Sequence, residues 1–198
     1  MRTKRVPVTM TAAECKMMIR SCAKRYHCGA RGRAIIVLMW RCGLRANEVC
    51  SVQIQDVDLD NRVIRLIGKG GKMRTVGLDD GTVPIIVHWI RKRNACSTMP
   101  ATAVERGPLV CTRYGGSLGR KKIWDYVRLI SRRVGIYPAK NVHPHAFRHT
   151  HALELMQEGV PLNIIQQHLG HSNIATTSIY LQRLRPEQVL GAISVRQW

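Results

Sequence analysis

At 198 residues and 45% hydrophobic content, the chain is long enough for one domain with its own core. Its 32 Lys and Arg against 12 Asp and Glu leave a formal charge of +20; beyond a merely basic surface, that excess suits a polyanionic partner, first of all nucleic acid. No apolar run approaches the roughly 18 residues of a membrane span, no basic amphipathic tail stands out, and the basic start Met1-Arg2-Thr3-Lys4-Arg5 has no apolar region after it, so neither a membrane anchor nor a secretory signal is expected.

Thr11-Ala12-Ala13-Glu14 has the form of a capping box and predicts a helix running to about Lys24. Tyr26 to Arg33, with Gly29 and Gly32, reads as a loop. Ala34 to Cys42 is nearly all apolar and predicts a buried helix stopped by Gly43. In the following GLRANEVC, Arg45 and Glu48 lie three apart on one side of a new helical turn. Such a pair is either a plain surface ion pair or a guanidinium held in place at the edge of the core. Residues 56–61 read as a turn. Arg62 to Ile67 and Lys72 to Leu78 read as the two strands of a β-hairpin with a basic tip, Gly68-Lys69-Gly70-Gly71. The tip lacks Walker A spacing and no Ser or Thr follows its Lys, so nucleotide binding is rejected; a groove of DNA is the better target for Lys69.

Thr82 to Asn94 predicts a helix with Pro84 in its first turn. Ala95 to Gly107 is irregular and reads as a mobile surface loop, Leu109 to Cys111 as a short strand, and Gly115-Gly116 as a turn. Ser117 to Val134 sets Arg120, Lys121, Lys122, Arg128, Arg132 and Arg133 around Ile123, Val127 and Ile130. That is an amphipathic helix with a basic face suited to a phosphate backbone.

The stretch from His143 to Tyr180 organises the rest. Pro144 suits the first turn of a helix, which puts His145 and Arg148 on one face. Val160-Pro161 breaks that helix, and a second one, Leu162 to Leu169, ends at Gly170. His171 follows at once, and Tyr180 comes nine residues later in a Thr-rich helical stretch. Two imidazoles, a guanidinium and a phenol are thus able to face one phosphate. A last helix is expected from Glu187 to about Val195.

Six His between 143 and 171 raise the question of a metal, but there is no HExxH and no Cys or carboxylate at ligand spacing, so no metal site is expected. The seven Cys form no CxxC pair and several sit in apolar helical runs, which points to a reducing cytoplasm rather than a disulfide scaffold. A single Phe leaves few rings for stacking bases, which favours duplex contact over single-strand reading.

These motifs, in this order, resemble the tyrosine recombinases, most closely the Xer-like and phage-integrase catalytic domain: GLRANE at 43–48, IGKGGK at 67–72, HPHAFRH at 143–149, LGH at 169–171 and Tyr180 after ATTSI. The resemblance runs from Thr9 to about Gly191. It implies a mainly α fold with a small antiparallel β-sheet, and a single catalytic domain over residues 1–198 without the N-terminal core-binding domain of most relatives. Either a fragment or a likeness to the short fimbrial phase-switch recombinases would account for that. The resemblance assigns Arg45 and Arg148 to the scissile phosphate and Lys69 to the leaving 5′ oxygen. His145 becomes the acid/base near the nucleophile, His171 a further phosphate contact, and Tyr180 the nucleophile. Glu48 supports the first arginine. Lys72, Arg74, Arg120, Lys121 and Lys122 are expected on DNA. No cofactor is implied, and the partners are double-stranded DNA and further copies of the chain, as a tetramer assembled through the C-terminal segment. One departure is visible: Gly77 stands where the family often has Pro.

The chemistry agrees. Displacement at a phosphodiester adds charge to the non-bridging oxygens, where guanidiniums are permanent bidentate donors. A phenol, with a pKa of about 10, needs a nearby base or a strong positive field. A type IB topoisomerase uses a similar set of residues, and a non-catalytic DNA-binding regulator would share the fold. The short chain and Xer-like motifs count against the first, the intact residue set against the second.

Overall fold

The computed structural model describes residues 8–67, 71 and 73–170. The chain divides into two compact units, Met1–His151 and Ala152–Trp198.

In the first unit, α1 (Ala12–Ser21) begins at the expected capping box: Glu14 N–H donates to Thr11 Oγ1 at 3.1 Å and Thr11 N–H to the Glu14 carboxylate at 2.7 Å. It stops at Ser21, short of Lys24, because Cys22 turns to extended backbone. The expected loop from Tyr26 is instead the start of α2 (His27–Trp40), which contains Gly29 and Gly32. Packing outweighs glycine's poor helix propensity here. A Cβ on Gly29 would lie 2.1 Å from the Ala23 carbonyl oxygen, so only glycine lets the helix start this close to the preceding turn. From Ala34 to Trp40 every residue of α2 is buried, which makes it the central helix. Gly43, at φ 64°, turns the chain out of it.

After α3 (Ala46–Ser51) and a 3₁₀ turn at Ile54–Asp56 comes a three-stranded antiparallel sheet, β1 (Val57–Asp58), β2 (Val63–Ile67) and β3 (Met73–Gly77), in that order. The stretch read as a turn at 56–61 thus contains a short edge strand, paired Val57 to Ile64. Ile64, Leu66 and Val76 face the core, as the period of two requires.

Helix α4 (Thr82–Asn94) has the predicted bounds, with Asp79 accepting from Thr82 N–H at 2.7 Å. The segment expected to be a loose loop contains α5 (Ala101–Arg106) and is tied down. Arg93, fully buried, donates to the carbonyls of Pro108 and Ala103. A buried guanidinium needs acceptors, and this loop supplies them. Leu109 to Cys111 is buried but is no strand; only isolated bridges, Gln53 with Pro108 and Cys111 with Ser117, form there. Helix α6 (Arg120–Arg133) buries Ile123, Val127 and Ile130 and leaves its six basic residues exposed. Helix α7 (Pro144–Gln157) begins at the predicted proline. Thr150 on it accepts from Met10 N–H at 2.8 Å, which fastens the start of the described chain.

In the second unit, α8 (Leu162–Leu169) ends as expected at Gly170, which is left-handed at φ 62°. Ala152, Ile165 and Leu169 form a small core with Leu155, Met156 and Val160 packed on it. The helix expected at 187–195 lies outside the described residues.

The architecture is therefore helix-rich with one small antiparallel sheet. Among the described residues no helix is long and apolar enough to cross a membrane. No disulfide forms among them, although they include all seven cysteines.

Candidate active site

The site is built around one carboxylate. Glu48 stands at the third position of α3, where a carboxylate naturally accepts from the unpaired N–H groups of a helix start. It takes the backbone N–H of Arg45 at 2.7 Å and the Arg45 Nη1 at 2.9 Å. Arg74, from β3, adds a two-pronged contact, Nη1 to Oε1 at 2.8 Å and Nη2 to Oε2 at 2.9 Å. Arg148 Nη1 lies 3.9 Å from Oε2 and donates to the Gly43 carbonyl at 2.6 Å. Burial pushes the Glu48 pKa up, but the hydrogen bond from Arg74, the Arg45 N–H and the charges of Arg74 and Arg148 outweigh it and hold the carboxyl down to about 2.

Three guanidiniums thus share one anion, a local excess of positive charge in a largely enclosed place. An anionic ligand is the natural complement to that excess. Arg45 keeps 34% of its side chain exposed, against 12% for Arg74 and 4% for Arg148, so Arg45 is the most accessible of the three.

The α7 start brings His145 to the same place. Phe147 and Ala146 are fully buried and anchor the helix, which leaves His145 exposed beside the cluster. Desolvation lowers the His145 pKa first, and the like charges of Arg148, Arg45 and Arg120 lower it further. Both effects favour the neutral imidazole, the form able to accept a proton. His143 stacks on Trp124 with centroids 5.6 Å apart and its ring centroid is 6.2 Å from that of His145. Arg120→Gln is expected to raise the His145 pKa, because it removes a charge that opposes protonation. Imidazole NMR titration reads this directly. An unmoved His145 would show that Arg120 does not act on it.

Sequence reasoning placed Arg45, Glu48, His145 and Arg148 together, and the structure brings these four into one cluster. It put Arg74 on DNA, whereas the structure places Arg74 against Glu48. The period-two signal would have found this: Arg74 shares parity with buried Val76 and pairs opposite buried Leu66. Arg120, Lys121 and Lys122 are exposed on the first turn of α6. Lys69, Lys72, His171 and Tyr180 lie outside the described residues.

The chain is similar to known proteins. The chain is 32% identical over 162 residues to tyrosine recombinase XerD of Bifidobacterium longum, covering 81% of this chain and 52% of the relative. It is 34% identical over 152 residues to tyrosine recombinase XerC of Xanthomonas campestris pv. campestris, covering 77% of this chain and 44% of the relative. It therefore spans about half the length of these curated relatives. The crystal structure of XerA recombinase superposes with a TM-score of 0.79 at 26% identity, over 98% of this chain and 67% of that one. XerH site-specific recombinase, bound to palindromic difH substrate in a post-cleavage complex, gives 0.76 at 26% identity, over 96% of this chain and 54% of that one. The phage integrase family model matches residues 9–186, nearly the whole of the arginine-bearing fold just described, and the chain belongs to that family.

Proposed function

We propose that this protein is a tyrosine-type site-specific DNA recombinase, cutting and rejoining DNA strands through a 3′-phosphotyrosine at Tyr180. The observation that carries the reading is the sharing of Glu48 by Arg45, Arg74 and Arg148, with His145 close enough to feel the charges of Arg45 and Arg148. In this mechanism Arg45 and Arg148 bind the non-bridging oxygens of the scissile phosphate and stabilise the charge that grows there. The Tyr180 phenol oxygen attacks phosphorus, and His145 takes its proton. The bond from phosphorus to the 5′ oxygen breaks, and Lys69 protonates the leaving alkoxide. His171 adds a donor to the phosphate. The phosphotyrosine conserves the bond energy, so the 5′-hydroxyl of a second strand reverses the sequence and reseals the backbone.

The duplex is held by charge. Exposed Arg120, Lys121 and Lys122 on α6 support this, as does the net charge of +20. Copies associate on DNA as a tetramer through the C-terminal segment, and the protein works in a reducing cytoplasm. The named recombinase relatives support the same reading.

The test is a nicked suicide substrate, drawn from DNA flanking the coding region, with EDTA and without ATP. A covalent protein–DNA adduct is expected, because arginines and a lysine supply the positive charge the reaction needs. An adduct lost on chelation and restored by magnesium or zinc would overturn the scheme.

A further inference from the structure

Arg74 is the least expected member of the cluster. It comes from β3, 26 residues from Glu48 in sequence, and commits both terminal nitrogens to one carboxylate. Its remaining nitrogen, Nε, is buried and has no hydrogen-bond acceptor among the described residues. The fork uses one N–H on each terminal nitrogen, and with only 12% of the side chain exposed the remaining N–H groups have little surface from which to meet a phosphate. Releasing Glu48 would be costly, since the carboxylate is buried and needs its partners.

The strand matters as much as the contact. β3 is the return strand of the hairpin, and Arg74 pairs opposite Leu66, one pair below the last described pair, Ile67 with Met73. Lys69 belongs to the sequence between those two strands. The same carboxylate also receives the Arg45 backbone and side chain. Arg74 therefore links the Lys69 hairpin, through Glu48, to the most accessible arginine of the cluster.

We propose that Arg74 is a positioning residue: by forking onto Glu48 it holds Arg45 in register with the hairpin that carries Lys69, and it acts on bond breaking without touching DNA. This rests on the recombinase reading above. A misplacement of a phosphate-binding group by about 1 Å costs on the order of 10²-fold in rate. Arg74→Met is accordingly expected to slow single-turnover cleavage of the suicide substrate by about that factor, while DNA affinity and its salt dependence stay as in the wild type. Glu48→Gln is expected to be slow as well, and the double variant no slower than the slower single one, because both changes break one link. Arg74→Lys keeps the charge but cannot fork, and is expected to recover only part of the rate.

A phosphate contact gives a different result. If Arg74→Met lowers the slope of log K against log salt by about 1, Arg74 binds DNA directly and the proposal is overturned. Rate losses that multiply in the double variant also overturn it. Should Arg74→Met fail to fold by circular dichroism, the cycle of Arg74→Lys with Glu48→Gln is read the same way: shared losses support the link and multiplied losses overturn it. A wild-type chain that forms no adduct sinks the recombinase reading and this proposal together. A wild type that cleaves, with variants behaving as a phosphate contact would, sinks the proposal alone.

Discussion

Tyr180→Phe is expected to abolish the covalent protein–DNA adduct while leaving DNA affinity nearly unchanged. The substitution removes one oxygen and keeps the ring, so whatever packing the side chain makes is preserved. The binding charge lies elsewhere, on exposed basic residues such as Arg120, Lys121 and Lys122. An adduct requires an attacking atom, and neither Arg nor His of the cluster would leave a stable phosphodiester to protein under denaturing gel conditions. The four described tyrosines are engaged with arginines outside the Glu48 cluster. Tyr126 receives a hydrogen bond from Arg31, and Tyr137 lies under the Arg132 guanidinium, 4.8 Å from its centroid. Tyr26 and Tyr114 are exposed, with Arg25 and Arg113 stacked on them. A persistent adduct in Tyr180→Phe, or a peptide map placing the phosphate on any of these four, would remove Tyr180 from the mechanism.

The second large effect belongs to Lys69. Lys69→Ala should cut the cleavage rate by on the order of 10²–10⁴, the usual range for a general acid. The decisive substrate carries sulfur at the 5′ bridging position. A thiol has a pKa of about 8.5, so the thiolate leaves with little need of a proton. Sulfur should therefore restore Lys69→Ala towards the wild-type rate. It should leave Arg45→Ala and Arg148→Ala slow, because their guanidiniums act on the non-bridging oxygens, which sulfur does not change. Rescue of Lys72→Ala instead would move the acid to Lys72. No rescue of either lysine variant would mean that the hairpin serves binding alone.

The proposed mechanism asks for a base and a pair of cations within one small space, and the Glu48 cluster gathers Arg45, Arg148 and His145 from separate parts of the chain. Glu48 is ionised far below neutrality, so its hold on Arg45 and Arg74 persists across the whole range in which His145 titrates. The acid limb of the cleavage rate should therefore report His145 protonation, not loss of the cluster. Because desolvation and then the neighbouring guanidiniums depress the His145 pKa, the acid limb is expected at a lower pH than for an ordinary histidine.

The sequence by itself determined those features whose physical cause lies within a turn or two of chain. The Thr11–Glu14 box, α4 from Thr82 to Asn94, the amphipathic α6, the proline start of α7 and the left-handed Gly170 after α8 each depend on neighbours three or four residues away. The motif order identified Arg45, Glu48, His145 and Arg148 for the same reason: each sits in a short stretch with a distinct pattern. Only the tertiary structure decided what depends on partners distant in sequence. Gly29 and Gly32 read as loop residues until the Ala23 carbonyl and Cys22 side chain are seen against them, 2.1 and 3.2 Å from where a Cβ would be. The 95–107 segment read as loose until buried Arg93 is seen donating to its carbonyls. Arg74 read as a DNA contact because a lone arginine on a basic hairpin shows nothing of Glu48, which reaches it only when β3 folds beside α3. A charge finds its partner in space, and local propensity holds no record of that distance.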